Sequence, residues 1–262
     1  MSTSRPPAAA PPSSSSSSTA VQELRKEMHV LADPKKAEAL SRFFKTGKGQ
    51  YGEGDVFLGI VVPRSRLLAK KHTGRLALAD IKELLHSAVH EERLVALLVL
   101  VDRYRSDPEN VARFYLENLG RVNNWDLVDL SAPKILGPHL ERVGKGKSSD
   151  LLCRFVRSES VWERRAAMVS TLHFIRKGDF ADALKIAGML LSDSHDLIHK
   201  AAGWMLREVY KRDPAAAEAF LEENCARMPR TMLRYAVERM PEGRRRRYMV
   251  AAAAKRKNDN AA

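Results

Sequence analysis

The chain has 262 residues, 44% of them hydrophobic and 29% charged, which is ample for a core and excludes disorder throughout. A formal net charge of +13 points to a polyanionic partner, nucleic acid first and an acidic membrane surface second. No apolar run approaches the roughly 18 residues of a membrane-spanning helix. Cys153 and Cys225 are lone thiols without CxxC spacing, and the histidines are scattered, so no disulfide framework, metal site or cofactor is expected and a reducing compartment fits best.

Residues 1–18, dominated by Ser, Pro and Ala, bury too little apolar surface to order themselves and read as a disordered tail. The tail lacks acids and carries Arg5, which gives an organellar transit peptide only thin support. From Val21 the pattern turns helical, with Val21, Leu24, Met28 and Leu31 on one face until Asp33-Pro34 breaks it, and a second helix is expected over residues 35–46. Tyr51 to Pro63 is a glycine-punctuated loop, closed where Pro63 starts another helix, and its glycines lack the phosphate-loop pattern. After Leu78 come helices of about ten to eighteen residues, with breaks near Asp107-Pro108, Pro133, Gly137-Pro138, Gly178-Asp179, Asp213-Pro214 and Pro229. No strand-like alternation persists, so the fold class is all-α. Residues 19–240 read as one helical domain and 241–262 as a basic helix end or tail, carrying Arg244 to Arg247 and Lys255-Arg256-Lys257. Such clusters suit a solvated tail, a nuclear-import signal or phosphate binding equally.

A repeat organises the domain. Arg93-Leu94-Val95-Ala96, Asp129-Leu130-Ser131-Ala132, Arg165-Ala166-Ala167-Met168 and Lys200-Ala201-Ala202-Gly203 stand in register at offsets of 36, 36 and 35. Two helices per period of that size predict a HEAT-like solenoid, whose equivalent helices build a concave, here basic, wall. The charged residues opening each copy are expected to line up across that wall. Trp125, Trp162 and Trp204 each fall within a turn of this column.

The most informative stretch is Arg121 to Ala132. Asn123 and Asn124 can cap a helix, and Trp125 and Asp129 at i, i+4 share one face. An aromatic plane beside an anion suits a cation. On a wall where Arg93, Arg165 and Lys200 attract phosphates, a carboxylate needs a positive partner. A cationic alkylpurine and the oxocarbenium ion left as its glycosidic bond breaks would both supply one.

Together these residues resemble the AlkD-type DNA alkylation-repair glycosylases, built from HEAT-like repeats. The resemblance covers roughly residues 21–240. It rests on Tyr51 to Pro63 with its Phe57-Leu58-Gly59-Ile60 core, Asn124 to Asp129, Trp162 to Ala167, and Lys200 to Glu208. It implies Asp129 as the catalytic carboxylate, Trp125 and Trp204 as the aromatic walls of the lesion site, and Arg165 as the cation on the backbone beside the lesion. Lys200, Arg93 and Tyr51 complete the expected DNA contacts. Relatives of this type excise cationic alkylpurines without drawing the base into a pocket, unlike most glycosylases. Val61 departs from the family pattern, in which a polar or basic residue is frequent. No lysine stands out as a Schiff-base nucleophile near the tryptophans, so a monofunctional hydrolase releasing 3-methyladenine or 7-methylguanine is expected.

The expected partner is double-stranded DNA containing alkylated bases, bound by a monomer away from membranes. The location would be the cytoplasmic nucleoid in a bacterium and the nucleus in a eukaryote. A non-catalytic binder of distorted or branched DNA and a HEAT-type protein-interaction scaffold are the alternative readings.

Overall fold

The computed structural model describes residues 17–259, and side chains up to residue 253. Residues 1–16 of the expected tail, and the Lys255-Arg256-Lys257 side chains, lie outside the described residues. Ser17 and Ser18, assigned to the tail from the sequence, belong to the folded part. The Ser18 hydroxyl caps the first helix by accepting from the Val21 amide, and Ser17 donates to Glu83.

The helices in the first half are α1 (Thr19–Val30), α2 (Pro34–Phe43), α3 (Val62–His72), α4 (Leu78–Leu85), α5 (His90–Arg103), α6 (Pro108–Glu117), α7 (Trp125–Ser131) and α8 (Leu136–Val143). They are followed by α9 (Lys145–Val156), α10 (Val161–Ser170), α11 (Leu172–Ile175), α12 (Ala181–Met189), α13 (Asp196–Tyr210), α14 (Pro214–Asn224), α15 (Arg230–Val237) and α16 (Glu242–Asp259). The Asp-Pro dipeptides are helix starts as much as breaks. Asp33, Asp107 and Asp213 each accept from the amide three residues on, with proline following in the first turn. Gly137-Pro138, in contrast, sits in the first turn of α8, where proline's missing N–H costs nothing. Several helices are shorter than expected, and α2 stops at Phe43. Among the described residues the β-structure is one isolated parallel bridge between Val56 and Val89, and no helix is long and apolar enough to cross a membrane. Cys153 and Cys225 are free thiols.

The repeat is visible in the packing. Helices α3, α5, α7, α10, α13 and α15 touch in that succession and form one layer, while α6 packs on α8, α8 on α9 and α11, and α9 on α12 behind it. The most extensive helix contact is α13 on α15. A Cβ at Gly203 would overlap the Met232 carbonyl and the Tyr235 Cβ, so only glycine lets α15 lie this close.

The start of α5 ties the first two helices and the loop before α3 to the repeat layer. The buried Glu91 carboxylate accepts from the amides of Leu58, Gly59 and Ile60 at 2.8–3.1 Å. Gly59, at φ 84°, turns the chain against the start of α2, where any Cβ would meet the Asp33 carbonyl. The Phe57-Leu58-Gly59-Ile60 segment is thus a cup of backbone donors closed around one anion. Next to it Glu92 pairs with Arg25 of α1 at 2.9 Å. Glu91→Ala strands three amides in the interior and is expected to cost at least about 3 kcal/mol. Urea denaturation, with hydrogen exchange at the Leu58 to Ile60 amides, measures this directly; an unchanged midpoint would remove Glu91 as the organiser of the loop.

Candidate active site

Helix α7 has only seven residues, and its first turn is fixed from outside. Asn124, wholly buried, accepts from the Trp125 amide at 2.8 Å and donates to Asp55 at 3.2 Å. On its inner side Leu127, Val128 and Ser131 pack into the core, and the Ser131 hydroxyl meets that of Tyr115 at 2.9 Å. The helix therefore sits between α5 and α10 with Trp125 and Asp129 directed to the same cleft.

Both Asp129 oxygens accept from Arg165 of α10, Oδ1 from Nε at 2.9 Å and Oδ2 from Nη2 at 2.8 Å. Arg165 Nη1 donates at 2.5 Å to the Leu197 carbonyl, just inside α13. The guanidinium is buried and turned onto the carboxylate, so its first task here is to orient Asp129. Positive neighbours alone suggest a carboxylate held low. Instead burial pushes the Asp129 pKa above its ordinary value, Asp126 adding to the rise and Arg165 opposing it. The two-pronged bond from Arg165 is that of the ionised carboxylate.

Asp129, Arg165, Trp125 and Trp204 line a cleft of about 540 Å³. Phe43, Tyr51 and Tyr235 add aromatic surface, and Lys45, Lys200 and Arg207 bring positive charge. Phe44 stacks on Trp125 with centroids 5.1 Å apart, and Phe43 meets the same indole edge-on. Tyr51 contacts Trp162 edge-on, with Lys45 Nζ 5.9 Å from the phenol centroid. Trp162 is thus beside the cleft, not in its lining.

Lys200 is held by Asp196 at 2.8 Å, and that hydrogen bond raises the ammonium pKa. Lys45 and Lys200 both line the Asp129 cleft, so the absence of an obvious Schiff-base nucleophile, expected from the sequence, turns on their chemistry. Lys200, kept protonated, is a poor Schiff-base nucleophile.

Arg93 is not on this wall. It is 4% exposed, pairs with Asp55 at 2.5 Å and donates to the Ser87 carbonyl at 2.9 Å. The reason is a one-residue shift in register. Arg164 donates to the Ser158 carbonyl, and His199 Nε2 lies 2.5 Å from the Asp193 carbonyl, each reaching back six residues as Arg93 does. In all three, the residue supplying the carbonyl also accepts, through its side chain, from the amide two positions on. Arg93, Arg164 and His199 are therefore the equivalent positions, and the counterpart of Arg165 and Lys200 in α5 is the buried Leu94.

Sequence reasoning missed a second constellation next to the cleft. His90, 2% exposed, stands between two carboxylates, with Nδ1 3.1 Å from Asp55 and Nε2 2.8 Å from Asp126. Phe57 stacks on the imidazole at 4.6 Å and Phe44 lies 5.0 Å away. Burial lowers the His90 pKa, but the bonds to Asp126 and Asp55 outweigh it and the net shift is upward. For Asp55 burial pushes upward, and His90, Arg93 and Asn124 outweigh it, so its pKa falls. Behind this group is a mainly apolar cavity of about 400 Å³ lined by Phe44, Phe57, Ile60, Val61 and Asp126. Val61, half exposed, caps α3 without a side-chain hydrogen bond. Among the described residues no group of three or more His, Cys, Asp or Glu could hold a metal ion.

The family model described as DNA alkylation repair enzyme matches residues 24–240. The chain belongs to this family. Its fold is similar to that of a protein from Enterococcus faecalis described as a predicted DNA alkylation repair enzyme, with a TM-score of 0.63 and 20% identity over 80% of this chain and 97% of the other. It is also similar to AlkD2 from Streptococcus mutans, with a TM-score of 0.51 and 17% identity over 84% of this chain and 96% of that one. No curated protein matches the chain. The all-helical repeat fold is thus that of the alkylation repair enzymes.

In this family member the His90 bridge has a pH signature. A histidine pKa raised by folding contributes stability that is fully present below the unfolded value of about 6.5 and is lost as pH rises through the folded one. The lowered Asp55 pKa acts oppositely, its stability present above about 3.9 and lost as pH falls through the folded value. Thermal melts are expected to fall steadily from pH 6 upward. His90→Gln should lower stability at pH 6 by about 1–3 kcal/mol and flatten that slope. An equally steep slope in the variant would dissociate His90 from it.

Proposed function

We propose that this protein is a monofunctional DNA glycosylase hydrolysing the N-glycosidic bond of cationic alkylpurines, such as 3-methyladenine and 7-methylguanine, in duplex DNA. The observation that carries the reading is the Asp129 carboxylate, held by a two-pronged bond from Arg165 in a cleft walled by Trp125 and Trp204 amid basic side chains. Membership of an alkylation repair family supports DNA as the substrate.

A cleft rimmed by Lys45, Lys200 and Arg207 draws in phosphates, and the indole faces receive a cationic base and sugar. As the C1′–N bond breaks, its electron pair leaves with the purine, whose positive charge is cancelled, so the base departs neutral without a general acid. Positive charge grows on the sugar instead, and the Asp129 carboxylate stabilises it. A water oxygen then bonds to C1′, and its proton passes to Asp129 or to solvent. The products are the free base and an abasic site. Lys200, protonated beside Asp196, takes no part in a lyase step.

Asp129→Asn removes the charge yet leaves an oxygen for Arg165. Single-turnover excision of 7-methylguanine is expected to fall about a hundredfold or more, with duplex binding retained. In the wild type the acid limb of the rate profile should lie above about pH 3.9, the ordinary aspartate value, because burial raises Asp129. An Asn variant as fast as wild type would end the assignment.

Substrate range offers an independent check. Uracil and hypoxanthine leave as anions unless protonated, and Asp129 opposes an anion forming beside it. Release of 7-methylguanine from matched duplexes should exceed release of either neutral base by orders of magnitude. Comparable rates for all three would overturn both the substrate and the role given to Asp129.

A further inference from the structure

The run Arg244 to Arg247 is one block in sequence but two faces on α16, because successive helical residues turn by about 100°. Arg244 pairs with Glu218 at 2.6 Å, and Arg247 pairs with Glu222, both glutamates lying on α14. Tyr248, buried beneath them, donates to Glu222 at 2.9 Å. These two arginines dock α16. Arg245 and Arg246 are exposed and have no acidic partner among the described residues. They line a groove of about 440 Å³ between α16 and α15, facing the exposed Arg234.

This groove is the immediate neighbour of the Asp129 cleft. The two share α15, which sends Tyr235 to the cleft and Arg234 to the groove. The partition between them is one ion pair, Arg207 lining the cleft and Glu238 lining the groove. Glu238 is thereby neutralised, and Glu242, in the first turn of α16, is the other acid in the groove. Three free guanidiniums against one carboxylate leave it positive. Its cations lie on the α16 side of α15, whose Tyr235 lines the cleft that holds Lys45 and Lys200.

We propose that Arg245 and Arg246 of α16, with Arg234, form a second phosphate-binding strip that holds the backbone of a DNA duplex beyond the catalytic cleft. The inference rests on the reading of the cleft as a DNA site and adds a footprint outside it. It also separates the arginine run into docking and binding members, which composition alone treats alike.

The test is anisotropy titration of an undamaged duplex of about 20 base pairs with the full chain over a series of NaCl concentrations. The double variant Arg245→Gln/Arg246→Gln should bind more weakly at low salt and lose about 1.8 from the slope of log K against log salt, at about 0.9 for each phosphate contact. Arg244→Gln/Arg247→Gln removes the same formal charge and should keep the wild-type slope, with a lower melting temperature from loosened docking of α16. Equal slope losses in the two variants would reduce the effect to bulk charge and overturn the proposal. A steep wild-type slope that Arg245→Gln/Arg246→Gln leaves unchanged would overturn it too, with DNA binding by the cleft still standing. A wild-type protein that does not bind the duplex would bring down both readings.

Discussion

Four consecutive ionisable residues, His90, Glu91, Glu92 and Arg93, are buried at the start of α5. Buried charges are tolerated only with partners, and removing one partner typically costs about 3–5 kcal/mol. Here the partners come from several parts of the chain, with Asp55 serving both His90 and Arg93. His90 reaches the Asp55 loop and α7, Glu91 the amides of the loop before α3, Glu92 the first helix, and Arg93 Asp55 and the turn before its own helix. The non-repetitive first third is therefore locked to the repeat layer by charge pairing, and a slip of α5 along its axis would break all four sets together.

The cleft depends on that lock. Asp126 and Asp129 stand one turn apart on α7, and two neighbouring carboxylates cannot both be left unpaired in a poorly solvated place. Each has its own partner from a different flanking helix, Asp126 the His90 imidazole of α5 and Asp129 the Arg165 guanidinium of α10. The two bonds pull the short helix from opposite sides. Phe44, stacked on Trp125 and tilted against the His90 ring, transmits the same constraint to the aromatic wall. Orientation of the proposed catalytic carboxylate is thus set by residues that do not line its cleft as much as by those that do.

Much of this was legible in the sequence, for identifiable reasons. Period and proline placement report backbone geometry, so the all-helical layer and the breaks at the Asp-Pro dipeptides could be read directly, while the capping that makes each of them a helix start came from the structure. Asp129, Arg165 and Lys200 fell on one wall because equivalent positions of a repeat must, and Trp125 and Trp204 because each stands one helical turn from that column. One further period after Lys200 falls on Tyr235, which also lines the cleft, so the signal extended further than it was followed. Arg93 was misjudged because a charged residue opening an apolar run fits two adjacent registers, and only the backward bond to the residue six before separates them. The His90 bridge was illegible for another reason. Asp55, His90 and Asp126 are far apart in the chain and each is of a type that composition assigns to the surface.

The charge excess itself divides along the same line. Arg25, Arg93, Arg164 and Arg165 are consumed by internal carboxylates and contribute nothing that a distant polyanion could neutralise at close range. Lys45, Arg234, Arg245 and Arg246 have no such partner among the described residues and lie at the cleft or the adjoining groove. A net charge of +13 would by itself predict attraction without direction. Part of the direction comes from where pairing stops: the interior and the α14 face commit their cations to glutamates and aspartates, whereas Lys45, Arg234, Arg245 and Arg246, left without such partners among the described residues, border the cleft of Asp129 and the groove beside it. An anion can persist there because Arg165 is committed to it, which leaves Lys45 available to phosphates.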